Sequence, residues 1–257
     1  MMATECGNHV GASSAVAAIV GRASRSVKAD RGRLVDPGLE ILRVLPVNPA
    51  SPREDKLTEA VQTLAAGGVI ALPTETFYGL AADAFNPDAL RRVNALKGKT
   101  ESDPILLLLG DREQASQVTD AVPELFEPLA ARFWPGPLTL VVPAAPGGLV
   151  EVTGGGGTVA VRVPGLALPR RVAAALGRPI SGVSANRTGR VPCRTASEVA
   201  AALDDGPEII LDGGPSQGGA PSTILDLCGD PPRVVREGLL PLSALTPFLG
   251  GAKPIVG

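Results

Sequence analysis

The sequence is nearly without histidine: its 257 residues include one, His9, close to the N-terminus. A Ser-His-Asp or Cys-His nucleophile system, or a histidine-rich metal site, would have to use that one residue. Cysteine is also scarce, because there are three and no two of them are close in the sequence. This number and spacing argue against a disulfide framework and against a cysteine-based zinc site. Histidine-dependent catalysis and cysteine-based metal centres are therefore close to excluded.

A charge excess and long apolar runs are missing as well. The 24 basic and 26 acidic residues give a net charge of −2, so no basic field covers the chain as a general nucleic-acid coat would need. No stretch reaches the roughly 18 to 20 apolar residues that a membrane helix needs, and the N-terminal region does not match a secretory signal. These features predict a soluble cytoplasmic protein without a membrane partner.

Apolar residues make up 44% of the chain and charged residues only 19%, a balance that favours a packed globule over disorder. The 31 glycines and 25 prolines predict many turns. The pattern changes near residue 39, and we expect a disordered extension, or a start codon assigned too early, over residues 1–38. One domain over residues 39–250 and a C-terminal tail over residues 251–257 complete the predicted organisation.

Helical patterns and short apolar runs alternate irregularly from residue 39 onward. Apolar residues recur at helical spacing over residues 57–65, and Asn86-Pro87 supplies the cap and first residue of a second helix. Strands are predicted over 69–72, 105–109, 137–142, 158–163, 179–183, 208–211, 222–227 and 233–235. This alternation predicts an α/β fold.

Three familiar signatures nearly occur, and each fails on a physical requirement. Gly98-Lys99-Thr100 resembles the end of a phosphate loop, but Val93 stands where the first glycine would be. The sequence at 182–186, Gly-Val-Ser-Ala-Asn, lacks the second glycine of a nucleophile elbow and has no plausible histidine partner. The glycines at 154–157 precede a strand, whereas a dinucleotide turn joins a strand to a helix.

Hydroxyls, amides and cations occur at the ends of the apolar strands, where open α/β sheets usually bind ligands. Such a set suits an anion, a polyphosphate or a carboxylate, with catalysis by positioning and charge stabilisation. Arg162 carries the strongest signal, because an arginine between strand valines needs a partner or an anion. Thr195 is also explained as a helix cap, and Lys97 with Lys99 as a solvated helix end. The set is Thr74, Thr76, Lys97, Lys99, Thr158, Arg162, Ser184, Asn186, Thr195, Ser222, Thr223 and Arg236.

Eight short blocks occur in order along the chain. They are Pro73-Thr-Glu-Thr-Phe-Tyr-Gly-Leu, Lys97-Gly-Lys, Trp134-Pro-Gly-Pro-Leu-Thr, Val159-Ala-Val-Arg-Val-Pro, Ser184-Ala-Asn, Pro192-Cys-Arg-Thr, Asp212-Gly-Gly and Ser222-Thr-Ile-Leu-Asp. In this order they resemble the YrdC-type (TsaC-like) proteins, which include the threonylcarbamoyl-AMP synthases. The resemblance covers residues 39–249 and implies a single domain with a twisted mixed sheet, flanking helices and a concave substrate cleft. Because the chain ends soon afterwards, we expect the short form without an additional C-terminal domain.

The resemblance implies a nucleotidyltransferase that forms threonylcarbamoyl-AMP and pyrophosphate from L-threonine, bicarbonate and ATP, with Mg²⁺. Partner proteins would pass the threonylcarbamoyl group to adenosine 37 of tRNA. By the same resemblance, L-threonine would lie on Thr76, Arg162, Ser184 and Ser222, with Arg162 on its carboxylate. ATP would lie on Lys97, Lys99, Asp103, Thr158, Asn186, Thr195 and Arg236. Lys97 and Lys99 would take the catalytic role of stabilising charge on the phosphates.

Two positions depart from the family pattern. Lys99 stands where arginine is common, which keeps the charge but loses the two-pronged guanidinium, and Leu108 stands where a histidine often lies near the amino-acid site. These departures keep open a YciO-like paralogue with little synthase activity. The carbamoyl-adenylate chemistry of related hydrogenase-maturation domains is another alternative. An RNA-binding YrdC-like module is a further one, with a basic groove of Arg91, Arg92, Lys97, Lys99, Arg187, Arg190 and Arg194.

Overall fold

The structure is a computed structural model that describes residues 42–99, 103–148, 150–203, 205–249 and 255–256. The predicted extension over residues 1–38 lies outside the described residues, as does most of the predicted tail over residues 251–257. The predicted domain boundaries therefore stay predictions. Within the described residues, no helix is both long enough and apolar enough to span a bilayer.

The strands are short and form two mixed sheets. They are β1 (Arg43–Pro46), β2 (Ile70–Pro73), β3 (Tyr78–Ala81), β4 (Leu107–Leu108), β5 (Leu138–Pro143), β6 (Thr158–Arg162), β7 (Ile180–Ser181), β8 (Val183–Ser184), β9 (Ile209–Asp212), β10 (Thr223–Asp226), β11 (Arg233–Arg236) and β12 (Ile255–Val256). The first sheet has the order β1-β9-β2-β3-β8, and the second has the order β12-β11-β10-β5-β6-β4-β7. The predicted mixed α/β class is confirmed, with two sheets where a single sheet was expected.

Helices connect the strands and cover the sheets. They are α1 (Glu54–Ala65), α2 (Pro87–Lys97), α3 (Phe126–Phe133), α4 (Val150–Thr153), α5 (Ala167–Leu176), α6 (Ala196–Ala202) and α7 (Leu242–Leu245), with 3₁₀ turns at Glu113–Gln117 and Thr246–Phe248. Helices α1 and α5 pack on each other and on β2. This packing buries Leu57, Ala60, Val61 and Leu64 of the predicted apolar face, while Ala65 is exposed. A larger apolar core contains residues of the second sheet, of α2 and α3, and of strands β2, β3 and β9 of the first sheet.

The sequence fixes the ends of α2 in the predicted way. The Asn86 side chain accepts a hydrogen bond from the Ala89 N–H at 3.1 Å, and Pro87 occupies the first helical position. Gly98 ends the helix with φ +64°, the left-handed conformation that glycine adopts at least cost. The helix therefore stops at Lys97, and this stop decides where the Lys97 and Lys99 side chains lie.

Several elements differ from the sequence prediction, and two of them show the physical reasons. The apolar run over 105–109 forms a strand only at Leu107–Leu108, because β7, one of its two neighbours, pairs with these two residues alone. Helix α3 was not predicted, since Pro128 interrupts its pattern. The proline lies in the first turn, where main-chain N–H groups have no partner within the helix, so the helix tolerates it.

The two sheets bring polar strand ends to one place. The turn after β2 and the strand β8 belong to the first sheet, while Arg162 ends β6, Ser222 precedes β10 and Arg236 ends β11 in the second. The C-terminal end of α2 reaches the same region, since Lys97 hydrogen-bonds to Ser184 and Asn186. This convergence places the candidate site where the two sheets meet.

Candidate functional site

A cavity of about 530 Å³ lies where the strand ends converge. Five cationic side chains line it, and no aspartate or glutamate occurs among the described residues of its wall. The cations are Lys97, Lys99, Arg162, Arg190 and Arg236. Hydroxyl and amide groups complete the polar part of the wall, at Thr74, Thr76, Ser184, Asn186, Thr188 and Ser222. A lining of this kind suits a ligand with more than one negative charge.

Eight of the eleven predicted site residues line this cavity. Those lining it are Thr76, Lys97, Lys99, Arg162, Ser184, Asn186, Ser222 and Arg236. Asp103 is not part of the wall. Its Oδ2 lies 3.9 Å from Nζ of Lys99, a residue that does line the cavity. The structure does not bring Thr158 and Thr195 to the cavity wall.

Thr158 and Arg162 lie at opposite ends of the same strand. Four residues of extended chain separate them by about 13 Å, and Thr158 pairs with Pro143 while Arg162 pairs with Leu108. Thr195 is the N-cap of α6, and its hydroxyl accepts a hydrogen bond from the Glu198 N–H at 3.2 Å. In this structure its side chain therefore has the capping role that its sequence context also predicts.

Arg162 is the most deeply buried cation of the site. The residue is 2% exposed, and its Nε is a buried donor without a partner in the described part of the chain. Its Nη1 lies 3.7 Å from Oε1 of Glu75. Burial lowers the pKa of Arg162, and the negative charge of Glu75 opposes that effect. The guanidinium thus has unused donor capacity at the cavity, which is what an incoming carboxylate needs.

Arg236 and Ser222 form a second polar group beside Arg162. The Arg236 guanidinium donates to the Ser222 carbonyl at 3.0 and 3.2 Å, and the Thr139 hydroxyl donates to Oγ of Ser222 at 2.9 Å. Burial lowers the pKa of Arg236, and the charge of Arg162 lowers it further. The two guanidinium groups are close enough to repel each other, so an anion between them would relieve that repulsion.

A threonine-rich turn forms another part of the wall. The Thr74 hydroxyl bonds to the Phe77 carbonyl at 2.8 Å and accepts from the Thr76 N–H at 3.1 Å. The hydroxyls of Thr74 and Thr76 lie 2.8 Å apart, and both residues are buried. Thr74 therefore shapes the turn, while Thr76 presents its hydroxyl from a fixed backbone.

Lys97 is held by protein oxygens. Its ammonium donates to the carbonyls of Ser184 and Asn186, the latter at 2.9 Å, and to Oγ of Ser184 at 3.2 Å. These three contacts use all three N–H donors of the ammonium. Burial lowers the pKa of Lys97 to about 8, with a further contribution from the charge of Lys99. Lys97 thereby fixes the turn that follows β8, from Ser184 to Asn186. It also places a positive charge at the cavity wall.

The other two cations at this end are less constrained. Lys99 faces Asp103 at 3.9 Å, a partly exposed pair with a weak interaction. The Arg190 side chain is exposed and makes no hydrogen bond or ion pair within the described residues. Asn186 anchors the Arg190 loop, since its Nδ2 donates to the carbonyls of Arg187 and Arg190 at 2.8 Å. These cations are free to move toward a phosphate.

Leu108 fills space beneath the site. It is fully buried and pairs with Arg162 across β4 and β6. A Cβ at Gly182 would lie 2.4 Å from Leu108 Cγ, so the leucine depends on that glycine. The position that the resemblance associates with histidine is therefore an apolar core position in this chain.

The seven cations that the RNA-binding alternative assigns to one basic groove have different surroundings in the structure. Arg91 forms ion pairs with Asp88 and Glu151, and Arg92 pairs with Glu208. Arg194 donates to the carbonyls of Ser216 and Gln217. Of the seven groove residues, Lys97, Lys99 and Arg190 line the cavity, so the seven do not form one continuous surface of free cations.

Sequence reasoning missed Glu75 and did not assign Arg190 to the cavity. Glu75 lies between Thr74 and Thr76, and its position beside Arg162 depends on the pairing of distant segments. The signal present was a carboxylate in an apolar, threonine-rich turn, which needs a cation when it is buried. The sequence places Arg190 only in the basic groove of the RNA-binding alternative, because one arginine in a polar loop is usually solvent-exposed.

The chain is similar to several known proteins. The family model of Sua5, YciO and YrdC, described as telomere recombination, matches residues 62–238. The threonylcarbamoyl-AMP synthase of Pyrococcus abyssi is 38% identical over 77% of this chain and 58% of its own length. The putative threonylcarbamoyl-AMP synthase of Mycobacterium tuberculosis strain H37Rv is 34% identical over 77% of this chain and 91% of its own length.

A solved structure is similar as well. The crystal structure of P. abyssi Sua5 complexed with L-threonine aligns with a TM-score of 0.77 and 35% identity, over 83% of this chain and 62% of that one. The chain thus spans little more than half the length of the Pyrococcus relative. The family resemblance drawn from the eight sequence blocks is confirmed: the chain belongs to the Sua5/YciO/YrdC family.

Proposed function

We propose that the chain is a threonylcarbamoyl-AMP synthase that joins L-threonine, bicarbonate and ATP and releases pyrophosphate. The observation that carries this proposal is one cavity that holds both a buried guanidinium with unused donors and a group of more mobile cations. The first suits a single carboxylate in a fixed position, and the second suits a polyphosphate. The relatives named threonylcarbamoyl-AMP synthase and the threonine complex of P. abyssi Sua5 support the same assignment.

In the proposed complex, Arg162 binds the threonine carboxylate, and Thr76, Ser184 and Ser222 orient the rest of the molecule. Lys99, Arg190, Arg236 and Asn186 surround the nucleotide, and Lys97 adds its charge while holding the turn that carries Ser184 and Asn186. Asp103 remains a proposed contact through its position beside Lys99. Thr158 and Thr195 would need a ligand that extends beyond the cavity wall, so their assignment to ATP has the least structural support.

The proposed reaction requires little proton transfer by protein side chains. The threonine amine and bicarbonate combine to N-carboxythreonine with loss of water, and a carboxylate oxygen of this carbamate attacks the α-phosphorus of ATP. Pyrophosphate leaves with the electron pair of the broken P–O bond. Fixed cations stabilise the negative charge that develops on the phosphates, and the cavity holds the two reactants close together.

Mg²⁺ enters this scheme as part of the substrate Mg-ATP. The described residues contain no group of three or more acidic, histidine or cysteine side chains that could hold a metal ion. The cavity wall instead offers hydroxyls, amides and cations. This donor set fits an ion that keeps phosphate oxygens and water as its ligands.

The downstream step belongs to the same proposal. The product would pass to proteins that transfer threonylcarbamoyl to adenosine 37 of tRNA, in the cytoplasm. Direct binding of RNA by this chain would be secondary, because Arg91, Arg92 and Arg194 are engaged by the protein itself.

The test is pyrophosphate release by the full chain with Mg-ATP, L-threonine and bicarbonate, each omitted in turn. Release that depends on both threonine and bicarbonate is expected. ATP binding by calorimetry without such release would favour the YciO-like alternative, which Lys99 and the buried Leu108 keep open. Tight, ATP-independent RNA binding that weakens steeply with salt would instead favour the RNA-binding module.

A further inference from the structure

Glu75 is the acidic residue closest to the cavity's most buried cation. Both of its carboxylate oxygens are buried without a hydrogen-bond partner in the described part of the chain, and Oε1 lies 3.7 Å from Nη1 of Arg162. A glutamate in this state costs free energy, and a structural ion pair with good geometry would be expected to satisfy at least one of its oxygens.

The cavity must also bind two different anionic ligands, each at its own position. Under the proposed function it accepts two anionic reactants, a polyphosphate and an amino-acid carboxylate, on a wall with five cations. A lone buried guanidinium would attract a phosphate at least as strongly as a carboxylate. Something must therefore keep the end of the cavity at Arg162 available for the amino acid.

The charge environment of Arg162 differs from that of the other cations. Lys97 and Arg236 contact uncharged oxygens, and Arg190 is exposed without a partner among the described residues. Lys99 has an acidic neighbour, Asp103, but that pair is partly exposed and screened by water. Among the five cations of the described wall, only Arg162 has a buried carboxylate beside it, and Glu75 itself does not line the cavity.

We propose that Glu75 makes the Arg162 subsite selective for zwitterionic α-amino acids and opposes ligands that carry negative charge alone. This inference rests on the proposed function, because it takes an amino acid as the ligand of Arg162. A plain anion at Arg162 gains attraction from the guanidinium and meets repulsion from Glu75 in the same poorly screened region. An α-amino acid carries an ammonium beside its carboxylate, and the interaction of this ammonium with Glu75 is attractive. The charges of Arg162 and Glu75 therefore match the two charges of the ligand.

The experiment compares L-threonine with (R)-3-hydroxybutanoate, which has the same skeleton without the α-ammonium. Calorimetry on the full-length wild-type chain and on Glu75→Gln measures both affinities, with circular dichroism to verify folding. In the variant we expect threonine affinity to fall about tenfold and hydroxybutanoate affinity to rise about threefold. The Glu151→Gln variant is the matched control, because Glu151 is a buried glutamate paired with Arg91 away from the cavity. It should leave both affinities unchanged.

The outcomes separate the two proposals. If the wild type binds threonine and Glu75→Gln keeps the same ratio of affinities, Glu75 does not set selectivity and the inference is wrong. If the wild type binds no threonine but Glu75→Gln gains hydroxybutanoate binding, the selectivity inference stands and the proposed function falls. Should Glu75→Gln fail to fold, Glu75→Asp keeps the charge and should retain the wild-type preference, whereas a preference lost in Glu75→Asp contradicts a role for the charge.

Discussion

The two ends of the cavity hold their cations in different ways. At the Arg162 end, the last residue of β6 and the residue before β10 carry the side chains, and the main cation is 2% exposed beside a buried carboxylate. At the Lys97 end, a helix terminus and a loop carry them, and Lys99 and Arg190 retain solvent contact. A strand end fixes a small ligand in one orientation, whereas loops adapt to a longer and more flexible one. This difference is the structural basis for assigning threonine to the first end and ATP to the second.

Replacing Arg162 should have the largest effect. Arg162→Ala removes the donors for the carboxylate and leaves Glu75 as an unbalanced buried charge, so kcat/KM for threonine should fall about a thousandfold. Measurement of pyrophosphate release at varied threonine gives this value. Arg162→Lys keeps the charge without the planar fork and separates the two contributions. Wild-type kinetics in Arg162→Ala would show that threonine binds elsewhere.

Replacing Lys97 should impair the other end. Lys97→Met removes the three hydrogen bonds that hold Ser184 and Asn186 and also removes a cation, so kcat/KM for ATP should fall about a hundredfold. Threonine affinity should fall only about threefold, because Ser184 loses its anchor while Arg162, on another element, keeps its position. Steady-state kinetics at varied ATP, with threonine titrations by calorimetry, measures this difference. An equal loss for both ligands would mean that the two ends do not act separately.

The pKa of Lys97 predicts a pH dependence confined to the same end. Because burial lowers this pKa to about 8, the side chain loses its proton and its charge as the pH rises through that value. ATP affinity should therefore fall about tenfold between pH 7 and pH 9.5, a change that calorimetry can follow. Lys97→Arg stays charged and should flatten the profile; a profile identical to wild type would assign the titration to another group.

Stability should follow the same titration with the opposite sign. The unfolded chain holds the Lys97 proton up to the usual lysine pKa of 10.5, whereas in the folded chain the pKa is about 8. The unfolded state therefore binds more protons between these values, and the free energy of unfolding gains from this residue as the pH rises through the window. Urea unfolding of wild type and Lys97→Met at pH 7.5 and pH 9.5 isolates this contribution, which the variant should lack.

Arg190 and Lys99 should give smaller effects. Arg190→Ala should raise KM for ATP about fivefold, because one exposed cation is removed; Arg53→Ala, in an exposed pair with Asp55 on α1, is the control and should leave KM unchanged. Lys99→Arg should lower KM for ATP about threefold by restoring a two-pronged contact. Initial rates at varied ATP measure both changes. A loss of activity in Lys99→Arg would show that the cavity is shaped for lysine at this position.

The sequence was sufficient for the fold class and much of the site, for identifiable reasons. The periodicity over residues 57–65, the Asn86 cap and the valine alternation around Arg162 are local signals, and the structure has a helix or strand at each of them. The proximity of Glu75 to Arg162, the exclusion of Thr158 from the cavity wall and the partition into two sheets depend on pairings between distant segments. A single sequence carries no direct record of such pairings. The sequence likewise could not reveal that all three N–H donors of Lys97 are used within the protein.

The most direct test of the two-ended cavity is a calorimetric titration of Arg162→Ala and Lys97→Met with L-threonine alone and with Mg-ATP alone. The account predicts that Arg162→Ala loses threonine binding and keeps ATP binding, while Lys97→Met loses most ATP binding and keeps threonine. Loss of both ligands in each folded variant, or of neither, would contradict the division of the cavity between the two substrates.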